Sequence, residues 1–206
     1  MKVLVFGATG KTGGLVVERA LAKGHEVSVL VRDPGRFKVA GVRVLAGDAT
    51  KAHDVLDAVR GQDVVIDTIG GTTPYKTTVL ESSSVQNMIA AMRAEGVRRL
   101  LVVSMMGIGE SREQAPFWYK HLLMTTFLRG STKDKAAMED AVRASGLEYV
   151  ILRPPILKDG PATGSVVVIG KGEIGHSVVR ADLANFLVDQ VDGGVYLGEE
   201  VTLVNQ

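Results

Sequence analysis

The stretch Val3-Leu4-Val5-Phe6-Gly7-Ala8-Thr9-Gly10-Lys11-Thr12-Gly13-Gly14 carries two competing phosphate-binding spellings. From Gly10 onward, Gly-Lys-Thr spells the end of a nucleoside-triphosphatase P-loop. From Gly7, the series Gly7-x-x-Gly10-x-x-Gly13 spells the glycine turn of a dinucleotide-binding unit. A P-loop needs four residues between its first glycine and the Gly-Lys-Thr. Counted back from Gly10, that position is Val5, inside an apolar run, so the first spelling fails. The second meets its context. The glycines follow a β-branched strand, open a helix and lie in a strand–helix–strand unit of about thirty residues.

On this reading Gly7 permits the tight turn, Gly10 lets the backbone approach a pyrophosphate, and Gly13 lets helix pack on strand. Thr9 completes the turn. Amides at the helix start, near Lys11 and Thr12, aim N–H donors and the positive dipole end at the phosphates. The end of the second strand then selects the coenzyme: an acid for the ribose hydroxyl of NAD, an arginine for the 2′-phosphate of NADP. Here it reads Leu30-Val31-Arg32-Asp33, with Arg36 and Lys38 following. Arg32 offers a planar fork to a phosphate and a face to adenine, and Lys11 adds charge from the glycine turn. Asp33 reads as the cap of Asp33-Pro34-Gly35; its alternative place is on the ribose, with Arg32 solvated. NADP(H) is expected in preference to NAD(H).

Outward from this unit, apolar β-branched runs alternate with amphipathic helical patterns. Strands are expected at Val27–Val31, Val42–Leu45, Val64–Ile66, Leu100–Val103 and Tyr149–Leu152. Helices are expected at Ala52–Val59, Ser82–Ala94 and Lys135–Ala144, each stopped by a glycine. The alternation predicts a Rossmann-like α/β fold, a doubly wound parallel sheet in a single domain over residues 1–206. After Pro154-Pro155 the pattern loosens. Strands at Val166–Ile169 and Val201–Val204 and a helix at Ala181–Val191 follow. Residues from about 150 onward are expected to form a small substrate-side cap.

Ligands of such sheets sit outside the carboxyl ends of the strands, which nominates further residues. Asp48 ends the third strand, to meet the adenine amino group or to cap the next helix. Ile69 and Gly70 bring backbone near ribose and nicotinamide. Ser104 closes the fifth strand, to bond the nicotinamide amide or the acceptor; the alternative is a serine capping local backbone. Pro154 and Ile156 close the sixth.

With 206 residues, 46% hydrophobic and 23% charged, the chain suits one domain with a full core. The net charge of +1 leaves no electrostatic footprint for nucleic acid. There are no cysteines, and four scattered histidines lack ligand spacing, so no metal site is expected. The start does not read as a signal peptide and no apolar run is long enough for a membrane span. A cytoplasmic protein, compatible with a monomer, is expected.

Gly7-Ala8-Thr9-Gly10-Lys11-Thr12-Gly13, Val29-Leu30-Val31-Arg32-Asp33, Gly47-Asp48, Asn87-x-x-Ala90-Ala91-Met92, Ser104, Ser145-Gly146-Leu147-x-Tyr149-Val150 and Pro154-Pro155 recur in one setting. Together they resemble the atypical short-chain dehydrogenase/reductase group, within it the NAD(P)H-binding NmrA-like proteins and the biliverdin-IXβ (flavin) reductases. The resemblance implies an NADP(H)-dependent reductase, with Ser104 beside the nicotinamide and the backbone of Ile156 near its carboxamide.

One departure matters. Ordinary members of the superfamily use a Tyr-x-x-x-Lys pair, the tyrosine supplying a proton. Here Tyr75 meets Val79, Tyr119 meets Leu123, Tyr149 meets Arg153 and Tyr196 meets Glu200. Lys135 falls near the family lysine, and Ser131 stands where the tyrosine would be. Lys135 is read as binding ribose hydroxyls or orienting the acceptor, the alternative being a solvated helix lysine. Reducing a simple ketone needs a proton at once, and a positioned acid helps by about 10²–10⁴-fold. A flavin, quinone or linear tetrapyrrole delocalises the added electrons and asks mainly for proximity and orientation. Hydride transfer to such a planar acceptor is the expected function; a non-catalytic NADP(H) sensor is the alternative, and sugar-nucleotide epimerisation is disfavoured.

The segment Met105–Gly130 lies where substrate would enter. Met105, Trp118 and Tyr119 are candidate walls of a pocket for a flat ring. In the alternative, Phe117-Trp118-Tyr119 pack an amphipathic helix onto the sheet with Leu122, Leu123 and Phe127, and for Phe117 this packing is the favoured reading. Asp182 is read as the cap of the last helix.

Overall fold

Valine-rich segments form the strands expected of them in a computed structural model that describes residues 1–71 and 75–205. In chain order the elements are β1 (Lys2–Phe6), α1 (Lys11–Ala22), β2 (Glu26–Val31), β3 (Val42–Ala46), α2 (Ala52–Val59), β4 (Val64–Asp67), α3 (Leu80–Glu95), β5 (Arg99–Val103), α4 (Arg129–Arg143) and β6 (Glu148–Leu152). Then come β7 (Ile156–Lys158), β8 (Val166–Ile169), β9 (Ser177–Val179), α5 (Arg180–Asp192) and β10 (Glu199–Asn205). The main sheet runs β3-β2-β1-β4-β5-β6-β10-β8, parallel throughout except where β8 meets β10. This is the doubly wound arrangement read from the sequence. The order reverses between β1 and β4, where a crevice opens at the carboxyl edge.

Both sides of the sheet are apolar because successive side chains in a strand point to opposite faces. Val3, Val5, Val29 and Leu101 pack under α1 and α5, against Val16, Val17, Leu183 and Leu187. Leu4, Phe6, Leu100 and Val102 pack under α2, α3 and α4, against Val55, Met88, Met92 and Met138. Among the described residues no helix is long and apolar enough to cross a membrane.

Two expectations are corrected. Residues from about 150 onward do not form a cap as a block. β6 and β10 are strands of the main sheet, and α5 covers the same face as α1. Among the described residues only the short pair β7–β9 stands apart from that sheet. Nor is Phe117–Phe127 an amphipathic helix on the sheet. Between β5 and α4 lie a 3₁₀ turn at Gly109–Arg112 and a π-type turn at Tyr119–Leu123. Phe117, Leu122 and Phe127 project into solvent, 78%, 64% and 53% exposed.

Candidate cofactor cleft and the acids beneath it

The β1–α1 turn is built on two close approaches. Gly7 has φ +77°, and a Cβ there would stand 2.7 Å from the carbonyl carbon of Thr68. A Cβ on Gly13 would stand 2.2 Å from the Gly7 carbonyl oxygen, so α1 presses directly on the turn. Gly10 occupies the N-cap and has no side chain to close the helix. The N–H groups of the first turn, at Lys11, Thr12 and Gly13, therefore stay open to an anion.

Two hollows flank this turn and share Ala8, Thr9, Gly10 and Arg32. One, about 510 Å³, runs over the strand ends past Gly7, Asp48, Ile69 and Gly70. The other, about 380 Å³, is lined by Arg36 and Lys38 besides Arg32. Asp33 also faces it, and its Oδ1 accepts from the Gly35 amide at 3.0 Å, the turn cap read from the sequence. Asp48 does not cap α2, whose N-cap is Lys51. Instead its Oδ1 accepts from the Thr50 amide at 2.9 Å and the Thr50 hydroxyl at 2.8 Å. Those two bonds, with Arg32 adding attraction, hold the Asp48 carboxyl below the usual range.

Lys11 is engaged elsewhere. Its Nζ lies 2.6 Å from Asp159 Oδ2, beyond β7, and Asp159 also pairs with Arg180 at the start of α5. Lys11 foremost, and Arg180 with it, hold the Asp159 carboxyl below the ordinary range.

At the ends of β5 and β6 the polar atoms are already partnered. The Ser104 hydroxyl donates to Glu139 Oε1 at 2.5 Å, so it binds a buried carboxylate and does not cap local backbone. Glu139, wholly buried in α4, accepts both Nε (3.1 Å) and Nη2 (2.6 Å) of Arg153. The carbonyl of Pro154 accepts from the Met106 amide at 2.9 Å, while Ile156 is exposed.

Lys135 is not a solvated helix lysine. Only 8% exposed, it donates to the Val103 carbonyl at 3.0 Å and lies 3.5 Å from Glu81 Oε1. Glu81 Oε1 also accepts from the Gly71 amide at 3.1 Å, and Asp67 Oδ1 accepts from the Ile69 amide at 2.9 Å. The other oxygens, Asp67 Oδ2 and Glu81 Oε2, are buried and have no hydrogen-bond donor among the described residues. Burial pushes the Asp67 carboxyl up to about 6, against the Ile69 amide and the Lys135 charge. Burial raises Glu81 too, with the Asp134 carboxyl adding to it and Lys135 opposing. For Asp134 the burial effect is overcome by four donors, at 2.5–3.0 Å from Thr78, Glu81 and Ser82, and its carboxyl stays low.

The proposed acceptor wall divides. Met105 is nearly buried, and Trp118 is 47% exposed. Tyr119 is 4% exposed and packs with Met106, Ala115 and Met124, so it belongs to a small core and does not line a pocket. Burial pushes its phenol up to about 12. Asp182 bonds the Thr163 and Gly164 amides and ties the loop before β8 to α5, in place of capping that helix.

Sequence reasoning brought Gly7, Thr9, Gly10, Arg32, Asp48, Ile69 and Gly70 into one cleft. It gave the Asp67–Gly71 segment a backbone role only, and missed Glu81, Glu139, Arg153 and Asp159. For Glu139 a signal existed: Lys135, Met138, Glu139 and Val142 occupy one stripe of α4, and all four are buried.

Comparison with known proteins follows the same lines. A sequence profile described as NAD(P)H-binding matches residues 7–193. An uncharacterised chloroplastic protein of Arabidopsis thaliana is 30% identical over 196 residues, covering 88% of this chain and 68% of that protein. Among solved structures, the anaerobilin reductase ChuY of Escherichia coli O157:H7 superposes with a TM-score of 0.83 at 29% identity, covering 100% of this chain and 97% of that one. A Streptococcus pneumoniae TIGR4 protein provisionally described as an NADH-flavin reductase gives 0.79 at 26% identity, with both chains covered fully.

Proposed function

The chain belongs to the NAD(P)H-binding family, and from that premise we propose that it is an NADPH-dependent reductase of flavins, linear tetrapyrroles or similar planar acceptors. The observation that carries the coenzyme choice is the cationic hollow of Arg32, Arg36 and Lys38 beside the glycine turn. In this reading the open amides of Lys11–Gly13 take the diphosphate, Arg32 takes the 2′-phosphate, and the backbone at Ile69, Gly70 and Ile156 aligns the nicotinamide end. Ser104 and Lys135 lie buried beneath, at the end of β5. When bound, the reduced nicotinamide supplies a hydride.

The acceptor class rests on two supports. Ser131 stands where a phenol acid would be needed for ordinary ketones, and a serine hydroxyl is far too weak an acid to replace it. Two solved structures matched over 97% and 100% of their own length are described as an anaerobilin reductase and, provisionally, an NADH-flavin reductase. A second reading, an NADP(H) sensor without turnover, is favoured by one observation: Ser104 and Lys135 both bond protein partners.

The test is direct. Purified protein, NADPH and FMN or a linear tetrapyrrole are mixed, and NADPH absorbance is followed. Loss above the uncatalysed rate supports the reductase. Tight NADPH binding with no oxidation by any acceptor supports the sensor.

A further inference from the structure

Beneath the cleft, buried acids outnumber the cation among them. Asp67 ends β4, Glu81 lies in the first turn of α3, and Asp134 and Lys135 come from α4. Neighbouring strands add no charge, since Asp67 is flanked by Phe6 on β1 and Val102 on β5. Asp134 is satisfied by its four donors from Thr78, Glu81 and Ser82. Asp67 and Glu81 receive one amide each, the Lys135 ammonium lies 3.5 Å from Glu81 Oε1, and among the described residues each acid keeps one buried oxygen without a donor. Both are 1% exposed. Two further carboxylates against one ammonium would leave a negative charge unmatched in a dry site. Retaining a proton removes it.

The place is informative. Asp67 directly precedes the Thr68-Ile69-Gly70 segment of the cleft, and Lys135 holds the carbonyl of Val103, the residue before Ser104. The cluster thus spans the carboxyl ends of β4 and β5, where the hydride-accepting molecule would lie.

We propose that Asp67 and Glu81 hold one proton between them and deliver it, through the Lys135 ammonium, to the acceptor as the hydride arrives. The proposal rests on the reductase reading above. Per turnover the acceptor gains two electrons and one hydrogen as hydride from NADPH, leaving NADP⁺, and one proton from Lys135. Glu81, 3.5 Å away, returns a proton to Lys135, and solvent reloads the acids. Asp67 and Glu81 are positioning groups that act through Lys135, and their proton neutralises an acceptor whose added charge is already delocalised. The loaded form is the working form, so turnover falls as pH rises through about 6, where Asp67 gives up its proton.

The test uses the full chain and two readouts. First, the cofactor-free protein is titrated by infrared spectroscopy. A protonated-carboxyl band that disappears near pH 6 is expected, and Asp67→Asn should remove or displace it. Second, NADPH oxidation is followed against pH for wild type, Asp67→Asn, Glu81→Gln and Lys135→Arg. Each variant should lose at least about tenfold in turnover, below the full range of a positioned acid, with NADPH affinity kept, and Asp67→Asn should flatten the limb near pH 6. Wild-type turnover with variants that keep its rate and pH profile overturns the proton store alone. An infrared titration with no such band overturns it as well. Failure of the wild type to oxidise NADPH with any acceptor overturns the reductase reading, and delivery with it.

Discussion

Lys11, the first residue of α1, and Asp159, beyond β7, meet at 2.6 Å across the mouth of the glycine turn. The carboxylate thereby occupies a cation that a diphosphate would also attract. Both side chains are exposed, so the contact is worth little by itself. Asp159→Asn should free Lys11 and Arg180 and tighten NADPH binding roughly two- to fivefold, the scale of one exposed pair. The gain should vanish in high salt. Fluorescence titration at two salt concentrations checks both points.

Arg32 stands between the two hollows, and its charge should separate the coenzymes. Arg32→Asp is expected to weaken NADPH by roughly ten- to hundredfold, the scale of a lost charge-assisted hydrogen bond, and NADH far less. Equal losses for both would remove the phosphate assignment.

Gly13 leaves no room for a side chain. With the Gly7 carbonyl 2.2 Å from the added carbon, Gly13→Ala must push α1 off the sheet. A loss of about 3 kcal/mol is expected, at the upper end of ordinary overpacking. Urea unfolding measures it, and coenzyme binding should fall in parallel.

Asp67 carries a pH signature in stability as well as in turnover. Its folded-state pKa of about 6 lies above the ordinary aspartate value of 3.8. Between those limits the folded chain holds a proton that the unfolded chain has lost, so rising pH costs stability, about 3 kcal/mol in all. Asp67→Asn, which stays neutral, should therefore unfold at a higher temperature than wild type at pH 7.5. At pH 4 the advantage should be absent. Thermal denaturation at the two pH values decides it.

Arg153 and Glu139 form a bidentate pair with neither side chain exposed by more than 5%. Removing Arg153 leaves Glu139 with the Ser104 hydroxyl and the Arg143 guanidinium. Arg153→Met should cost up to roughly 3 kcal/mol, and adding Glu139→Leu should recover only part of it, because Ser104 then loses its buried acceptor. A double-mutant cycle on unfolding free energies is the measurement.

How much of this was legible in the sequence depends on whether the signal was local. The strand–turn–helix at Gly7–Gly13, the end of β2 before Arg32 and the Asp33 cap fall where the sequence placed them, because spacing and turn chemistry over a few residues determine their local structure. The roles of Ser104 and Lys135 were harder, since their partners, Glu139 and Glu81, lie 35 and 54 residues away. A glutamate in a helical pattern reads as solvated unless its position on the apolar stripe is weighed. Glu81 shares such a stripe with Ser84, Val85 and Met88. The aromatic triplet misled for a different reason. Tyr119 turns inward to Met106 and Met124 through a π-type turn, whereas Phe117 is left in water. A 3.6-residue period cannot foresee that.

The antiparallel strand β8 has a single partner in the sheet, β10, which is synthesised about thirty residues later. During translation Val166–Ile169 must therefore wait, as an orphan valine-rich segment, until Glu199–Asn205 slots between it and β6. The order of assembly is imposed by topology: the nucleotide half can condense early, but the far margin of the sheet closes last, and that interval is when the nascent chain most needs protection from unwanted pairing.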